Sequence, residues 1–116
     1  MKLSSFFDYQ GPGRISIARY APRGTPAGFR VYKRLAPGPW FNKVSKPEYE
    51  RLYFAQLQLL DPVKVSDDLH ALADGVEPVL LCWERKADIA AGKTWCHRHM
   101  VGTWLRQHFH VDVEEL

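Results

Sequence analysis

The sequence predicts an α/β fold: a single compact, Rossmann-like layered domain with a small central mixed or parallel sheet flanked by about three helices. Three observations carry this prediction. "PVLLCWE" (78–84) is a continuous apolar run of strand length, the pattern of a strand buried on both faces of an α/β sheet. Apolar residues recur at helical spacing in two stretches before that run and one after it. The N-terminal third instead holds short alternating runs broken by Pro and Gly. At 116 residues, 1–116 forms one domain, enough for a modest core and too little for a second.

"KLSSFFDY" (2–9) is short and aromatic, consistent with a first strand, and "QGPGR" breaks it. "RISIARY" (14–20) is the second, with Ile15 and Ile17 on one face and Ser16 and Ala18 on the other. So few residues separate these strands that they either form a hairpin or are not direct parallel neighbours. Residues 21–46 make a long, basic Pro/Gly-rich loop, where Pro22, Gly24, Pro26, Gly28, Pro37, Gly38 and Pro39 forbid a long regular element. "FRVYKRL" (29–35) interrupts it as a short edge strand. The aromatic and basic residues here, Trp40 and Phe41 included, suggest that the loop folds over something.

Helix signals follow. "SKPE" (45–48) is a capping box with proline in the first turn, and Tyr49, Leu52, Tyr53, Leu57 and Leu60 continue it until Pro62. A second helix begins near Ser66, carries Leu69, Leu72 and Ala73 on one side and ends at Gly75. Thr94 is an N-cap for a last helix over 95–109, with Val101, Trp104, Leu105 and His108 along one stripe. His108 there reads as a core histidine, and His70 and His110 have no partner in view.

A formal charge of +3 suits an acidic partner without requiring one. No apolar run approaches the roughly 20 residues of a membrane span. "MKLSSFFDYQGPG" has too short an apolar stretch for a signal peptide. A soluble, cytoplasmic protein with no membrane association is therefore expected. Two cysteines in such a chain point away from a disulfide framework and towards buried, reactive or metal-bound thiols.

The chemistry concentrates in "CWE…WCHRH". Cys82 and Glu84 end the apolar strand, and open α/β sheets bind ligands beyond the carboxyl ends of their strands. Lys93, His97, Arg98 and His99 load cations onto a helix start, where each costs roughly 0.3–1 kcal/mol against the dipole. A bound phosphate or carboxylate would reverse that sign by meeting the first-turn amides and Arg98 together. Glu84 paired with Arg98 would do so without a ligand. Cys96 beside these cations is a nucleophile of lowered pKa, or Cys82 and Cys96 are structural thiols. Cys82, Cys96, His97 and His99 offer a weaker zinc alternative, with no C-x-x-C pair to support it. Trp83 and Trp95 flank the turn and could stack a base, or simply pack.

"ISIARYAP…YKRLAP" together with "VLLCWE…CHRHMVGTWL" resembles the family named domain of unknown function 488. Its pattern is an N-terminal strand ending in arginine, a C-terminal strand reading Leu-Leu-Cys-x-Glu, and a Cys-His-Arg triplet opening the last helix. The matching residues are Arg19, then Cys82 and Glu84, then Cys96, His97 and Arg98. The segment between the first two strands is shorter here, and "RKADIAAGKTW" is longer than the family usually carries. The resemblance implies a compact α/β domain whose hallmark residues share one polar site, and it implies no particular reaction.

The expected function is a site for a phosphate-bearing ligand, an anionic small molecule such as a nucleotide, or nucleic acid. Arg19 and Arg98 would neutralise the anion, with Cys82, Lys33, Trp83 and Trp95 completing the binding surface. If the site is catalytic, His97 is the general acid or base, Glu84 orients an arginine or accepts a proton, and Cys96 attacks. No cofactor is expected, zinc apart. The alternative is a non-enzymatic nucleic-acid or protein interaction module, using the 21–46 loop, in which the Cys-His-Arg turn is structural or zinc-binding.

Overall fold

The computed structural model describes residues 1–109 and 113–116, so His110 lies outside the described residues. The chain forms β1 (Lys2–Ser5), β2 (Arg14–Ser16), β3 (Arg30–Val31), β4 (Val79–Cys82) and β5 (Glu114–Glu115), all pairing in parallel in the order β3–β2–β4–β1–β5. The apolar run at 78–84 supplies the middle strand, and all four residues of β4 are buried. β4 also separates β1 from β2, so those two form no hairpin and are not neighbours. The 6–13 connection packs Phe6 and Tyr9 over Val79 and Leu81 on one face of the sheet. It must then turn sharply into β2. Gly13, at φ +83°, makes that turn and takes the Val79 N–H on its carbonyl at 2.8 Å. A Cβ at Gly13 would collide with the Glu77 carbonyl.

The longer helices cover the opposite face. α1 (Lys46–Gln58) starts at Ser45, whose hydroxyl accepts the Glu48 N–H as the capping box predicts. α2 (Pro62–Ala73) starts at Asp61, whose carboxylate accepts the Val63 N–H, and ends at Asp74 in the left-handed region. Pro62 therefore opens a helix rather than merely closing one, since a proline at the first helical position gives up no hydrogen bond. α4 (Arg98–Phe109) completes the layer. Leu3, Ile15, Ile17 and Leu80 meet Tyr53, Leu57, Leu69, Val101 and Leu105 in one core. Leu80 is wholly buried, and truncating such a residue to alanine costs about 2–5 kcal/mol.

Beside α2, which begins at Pro62 rather than near Ser66, three further elements depart from expectation. α3 (Lys86–Ala90) occupies the segment after β4, too short for a readable helical period. α4 begins at Arg98 rather than near 95. The Thr94 hydroxyl donates to the Trp95 carbonyl and caps nothing, while Cys96 Sγ takes the Arg98 N–H at 3.4 Å. β5, two residues on the far edge beside β1, has no pattern of its own.

The 21–46 stretch is pinned rather than loose. It contains β3 on the sheet edge and a 3₁₀ turn at Lys33–Leu35. The Tyr32 hydroxyl donates to Asp68 at 2.7 Å, the Tyr53 hydroxyl to the Leu35 carbonyl at 2.6 Å, and Gln56 to the Ala36 carbonyl at 2.7 Å. The last two satisfy backbone carbonyls beside Pro37 that lie outside any sheet or long helix. They also hold Pro37 and Phe41 over the end of the sheet. Among the described residues, no helix is long and apolar enough to cross a membrane.

Candidate functional site

β2 connects onward to β3 on one side of the sheet, and β4 connects onward to β5 on the other. The gap between their carboxyl ends is thus the point where the connections diverge, the place where open α/β sheets form ligand crevices. A cavity of about 520 Å³ opens there. Arg19 and Tyr20 come from the end of β2, Trp83 and Glu84 from the end of β4, and Trp95 and His97 from the approach to α4. Pro37 and Phe41 of the 21–46 stretch form a further wall, which is what that stretch folds over.

Arg98 is not aimed into this space. Its side chain is 0% exposed and forms a bidentate pair with Glu115, Nε at 2.8 Å and Nη2 at 3.0 Å. Nη1 donates to the Glu84 carbonyl at 2.7 Å and to Cys82 Sγ at 3.2 Å. His99 Nε2 also meets Glu115, at 3.0 Å. Burial pushes the Glu115 carboxyl up, but hydrogen bonds from His99 and Arg98 outweigh it and hold the pKa below the usual carboxylate value. The resident anion of the cationic turn is therefore Glu115. The expected Glu84–Arg98 pairing is replaced by contact with the Glu84 backbone alone. Nor do the first-turn amides point to an open cradle, since the Arg98 and His99 N–H groups bond Cys96 Sγ and the Cys96 carbonyl.

The cysteines correct a second expectation. Cys82 and Cys96 are joined in a disulfide, closing a separation of 14 residues between the end of β4 and the approach to α4. In this form neither sulfur is a thiolate and Cys96 is no nucleophile. The free-thiol expectation rested on cellular setting, which spacing cannot reveal; Cys82 and Cys96 pack in one buried cluster with Phe6, Ala18, Val79 and Leu81. His97, 7% exposed, donates from Nε2 to the Ile17 carbonyl at 2.8 Å and packs edge-on against Tyr53. Burial lowers its pKa to about 4, so it is neutral at pH 7 with Nε2 committed. His97 is therefore held as a fixed neutral ring, unlike the titrating acid or base expected of it.

Glu84 lies half-buried at the cavity wall. Burial raises its pKa, with its own backbone N–H and the Arg98 charge pulling the other way. Arg19 donates from Nη1 to the Pro37 carbonyl at 3.0 Å and lies 5.8 Å from the Phe41 ring centroid. Lys33 reaches the Arg19 carbonyl and lines a shallower cleft of about 390 Å³, which shares Arg19, Tyr20 and Pro37 with the main cavity. Trp95 meets Tyr49 edge-to-face at 4.5 Å between centroids. The Trp83 indole N–H donates to the Tyr20 carbonyl at 2.6 Å, bridging the ends of β4 and β2.

The structure thus brings Arg19, Cys82, Trp83, Glu84, Trp95 and His97 to one cavity. Lys33 sits at its annex, while Cys96, Arg98 and His99 lie behind the wall. Sequence reasoning missed Glu115, Tyr49 and Tyr20. Tyr49 was visible as a helix-face residue but reads as core, which it also is. Compared with protein-family models, curated proteins and solved structures, the chain matches none.

Proposed function

We propose that this cleft binds a nucleotide. The carrying observation is the division of labour within one cavity at the strand-divergence point: aromatic walls, one carboxylate and one cation at the mouth of a basic annex. Trp83, Trp95 and Tyr49 offer flat apolar surface for a base, and Glu84 is an acceptor for the N–H donors on its edge. Arg19 and Lys33 supply the phosphate end, with Arg19 able to form the bidentate contacts that suit phosphate. A cavity of about 520 Å³ is also within the ordinary range for small-molecule sites. Of the residues through which the sequence resembles domain of unknown function 488, Arg19, Cys82, Glu84 and His97 line this cavity.

Titration of mononucleotides, phosphosugars and short oligonucleotides, followed by tryptophan fluorescence and thermal shift, tests the reading. A ligand of the native state raises the melting midpoint by mass action. Nucleotides should quench Trp83 and Trp95 emission and raise the midpoint, Arg19→Ala should weaken binding at least tenfold, and Glu84→Gln should change base preference. Oligonucleotides binding far better than mononucleotides, with a steep salt dependence, would extend the site to a strand end. No response to any anionic class, or binding unaffected by Arg19→Ala, removes the proposal.

A further inference from the structure

Beside the cleft lies a second cluster that nucleotide binding does not use. We infer that, once the Cys82–Cys96 bond is reduced, Cys82, Cys96 and His97 hold a thiophilic divalent cation, Zn²⁺ foremost, with one coordination position open to the cavity. Whether the cleft takes a nucleotide does not enter this inference.

The geometry comes first. All three residues are buried, and their ligand atoms lie within 4.8 Å of one another. Cys96 Sγ and His97 Nδ1 are 3.9 Å apart. Tetrahedral zinc, with bonds of about 2.3 Å to sulfur and 2.0–2.1 Å to nitrogen, places those atoms roughly 3.6 Å apart. The two sulfurs must separate, which reduction permits, and His97 lies within 4.8 Å of both.

The ring of His97 is already oriented for the task. Its Nε2 bonds the Ile17 carbonyl at 2.8 Å, and a carbonyl can only accept, so Nε2 carries the proton. The lone pair is left on Nδ1, on the side of the sulfurs. Anchoring one ring nitrogen to a carbonyl while the other binds metal is the usual outer-shell arrangement for ligating histidines.

Charge supplies the next reason. Both sulfurs already accept N–H groups: Cys82 from Arg98 Nη1 at 3.2 Å, and Cys96 from the Arg98 amide at 3.4 Å. These donors suit thiolates. Arg98, however, is matched in charge by Glu115. Two thiolates in this interior would need a cation of their own, and a divalent ion bound with neutral His97 balances them. Cys82 and His97 both line the cavity, so the ion enters from there and its open position faces that space. His99 is not part of the cluster, and its Nε2 meets Glu115 instead.

The chemistry balances with a phosphine as reductant. The phosphine takes oxygen from water to become its oxide, the Sγ–Sγ bond breaks, and each sulfur gains a proton. Cation binding then displaces both protons.

The full chain, reduced with phosphine and desalted without oxygen, is titrated with Zn²⁺ and separately with Co²⁺, beside the oxidised chain. The expected result is one equivalent of metal per reduced chain and none bound tightly by the oxidised chain. Co²⁺ should give a thiolate-to-cobalt charge-transfer band and the visible bands of tetrahedral coordination. Cys82→Ser should abolish that band or reduce it to a single-thiolate intensity. His97→Gln should weaken binding at least tenfold, and His99→Gln should leave it unchanged. The inference is overturned if the reduced wild type, still folded by circular dichroism, binds no stoichiometric metal. It is equally overturned if the cobalt spectrum lacks thiolate character, or if His99→Gln weakens binding as much as His97→Gln does.

Discussion

The end of β2 and the start of α4 each present exposed-looking cations in the sequence, and the fold treats them in opposite ways. Arg98 is sealed in, with a bidentate carboxylate, a backbone carbonyl and a sulfur as partners. Arg19 has one carbonyl and two aromatic rings around it, no carboxylate among the described residues, and open cavity beside it. A buried charge must be matched within the protein, because its desolvation leaves no other source of compensation. A half-exposed cation is matched by water until something better arrives. That difference separates an arginine that builds the site from one that is free to serve it.

The largest effect that could break this comparison is on stability. Arg98→Ala leaves the partly buried Glu115 without its main partner and removes a wholly buried donor to the Glu84 carbonyl. Removing one member of a buried ion pair costs about 3–5 kcal/mol. Urea denaturation should find a loss of that size, and the double variant Arg98→Met, Glu115→Leu should recover a large part of it. A loss under about 1 kcal/mol would mean that Arg98 is no more structural than Arg19.

A second effect sharpens the same contrast through pH. The folded-state pKa of His97 is about 4 against an ordinary 6.5, the shift coming chiefly from burial. Between those values the unfolded chain takes a proton that the folded chain refuses. Stability is therefore full above about pH 6.5 and falls as pH drops towards 4, by about 3 kcal/mol over the whole window. Denaturation midpoints measured from pH 7.5 to 4.5 should follow that slope in the wild type. His97→Gln should flatten it, and an unchanged slope in that variant would assign the effect to another group.

How much of this was legible beforehand follows from the range of each interaction. The 78–84 run could be read because burial on both faces leaves a local pattern, and Ser45 could be read because a cap acts over three residues. Glu115 could not be read as the partner of Arg98. The two are 17 residues apart, and only the pairing of β5 with β1 brings the carboxylate back. The disulfide was hidden for a related reason, since the packing of the chain between β4 and α4, and not the spacing, brings Cys96 to Cys82. Arg19, Glu84 and Trp83 were legible as residues of the candidate cavity because crevices of parallel sheets form at strand ends, and each of these follows a strand closely. The inward turn of Arg98 depends on what α4 packs against, which no local pattern records.

The smallest expected effect is the most discriminating. Arg19→Ala gives up a hydrogen bond to the Pro37 carbonyl and two ring contacts, all at a half-exposed position. Surface changes of this kind usually fall within about 0.5 kcal/mol, and loss of the charged hydrogen bond extends the expectation to about 1 kcal/mol. Lys33→Ala, further out, should cost less still. Urea midpoints for both variants should therefore lie close to the wild type, whatever they do to the proposed binding of phosphate-bearing ligands. A loss from Arg19→Ala approaching that from Arg98→Ala would show that the guanidinium at the cavity clamps the 21–46 stretch to the end of the sheet. The free cation of the cleft would then be Lys33 alone, and the phosphate end of any ligand would have to lie in the shallower annex.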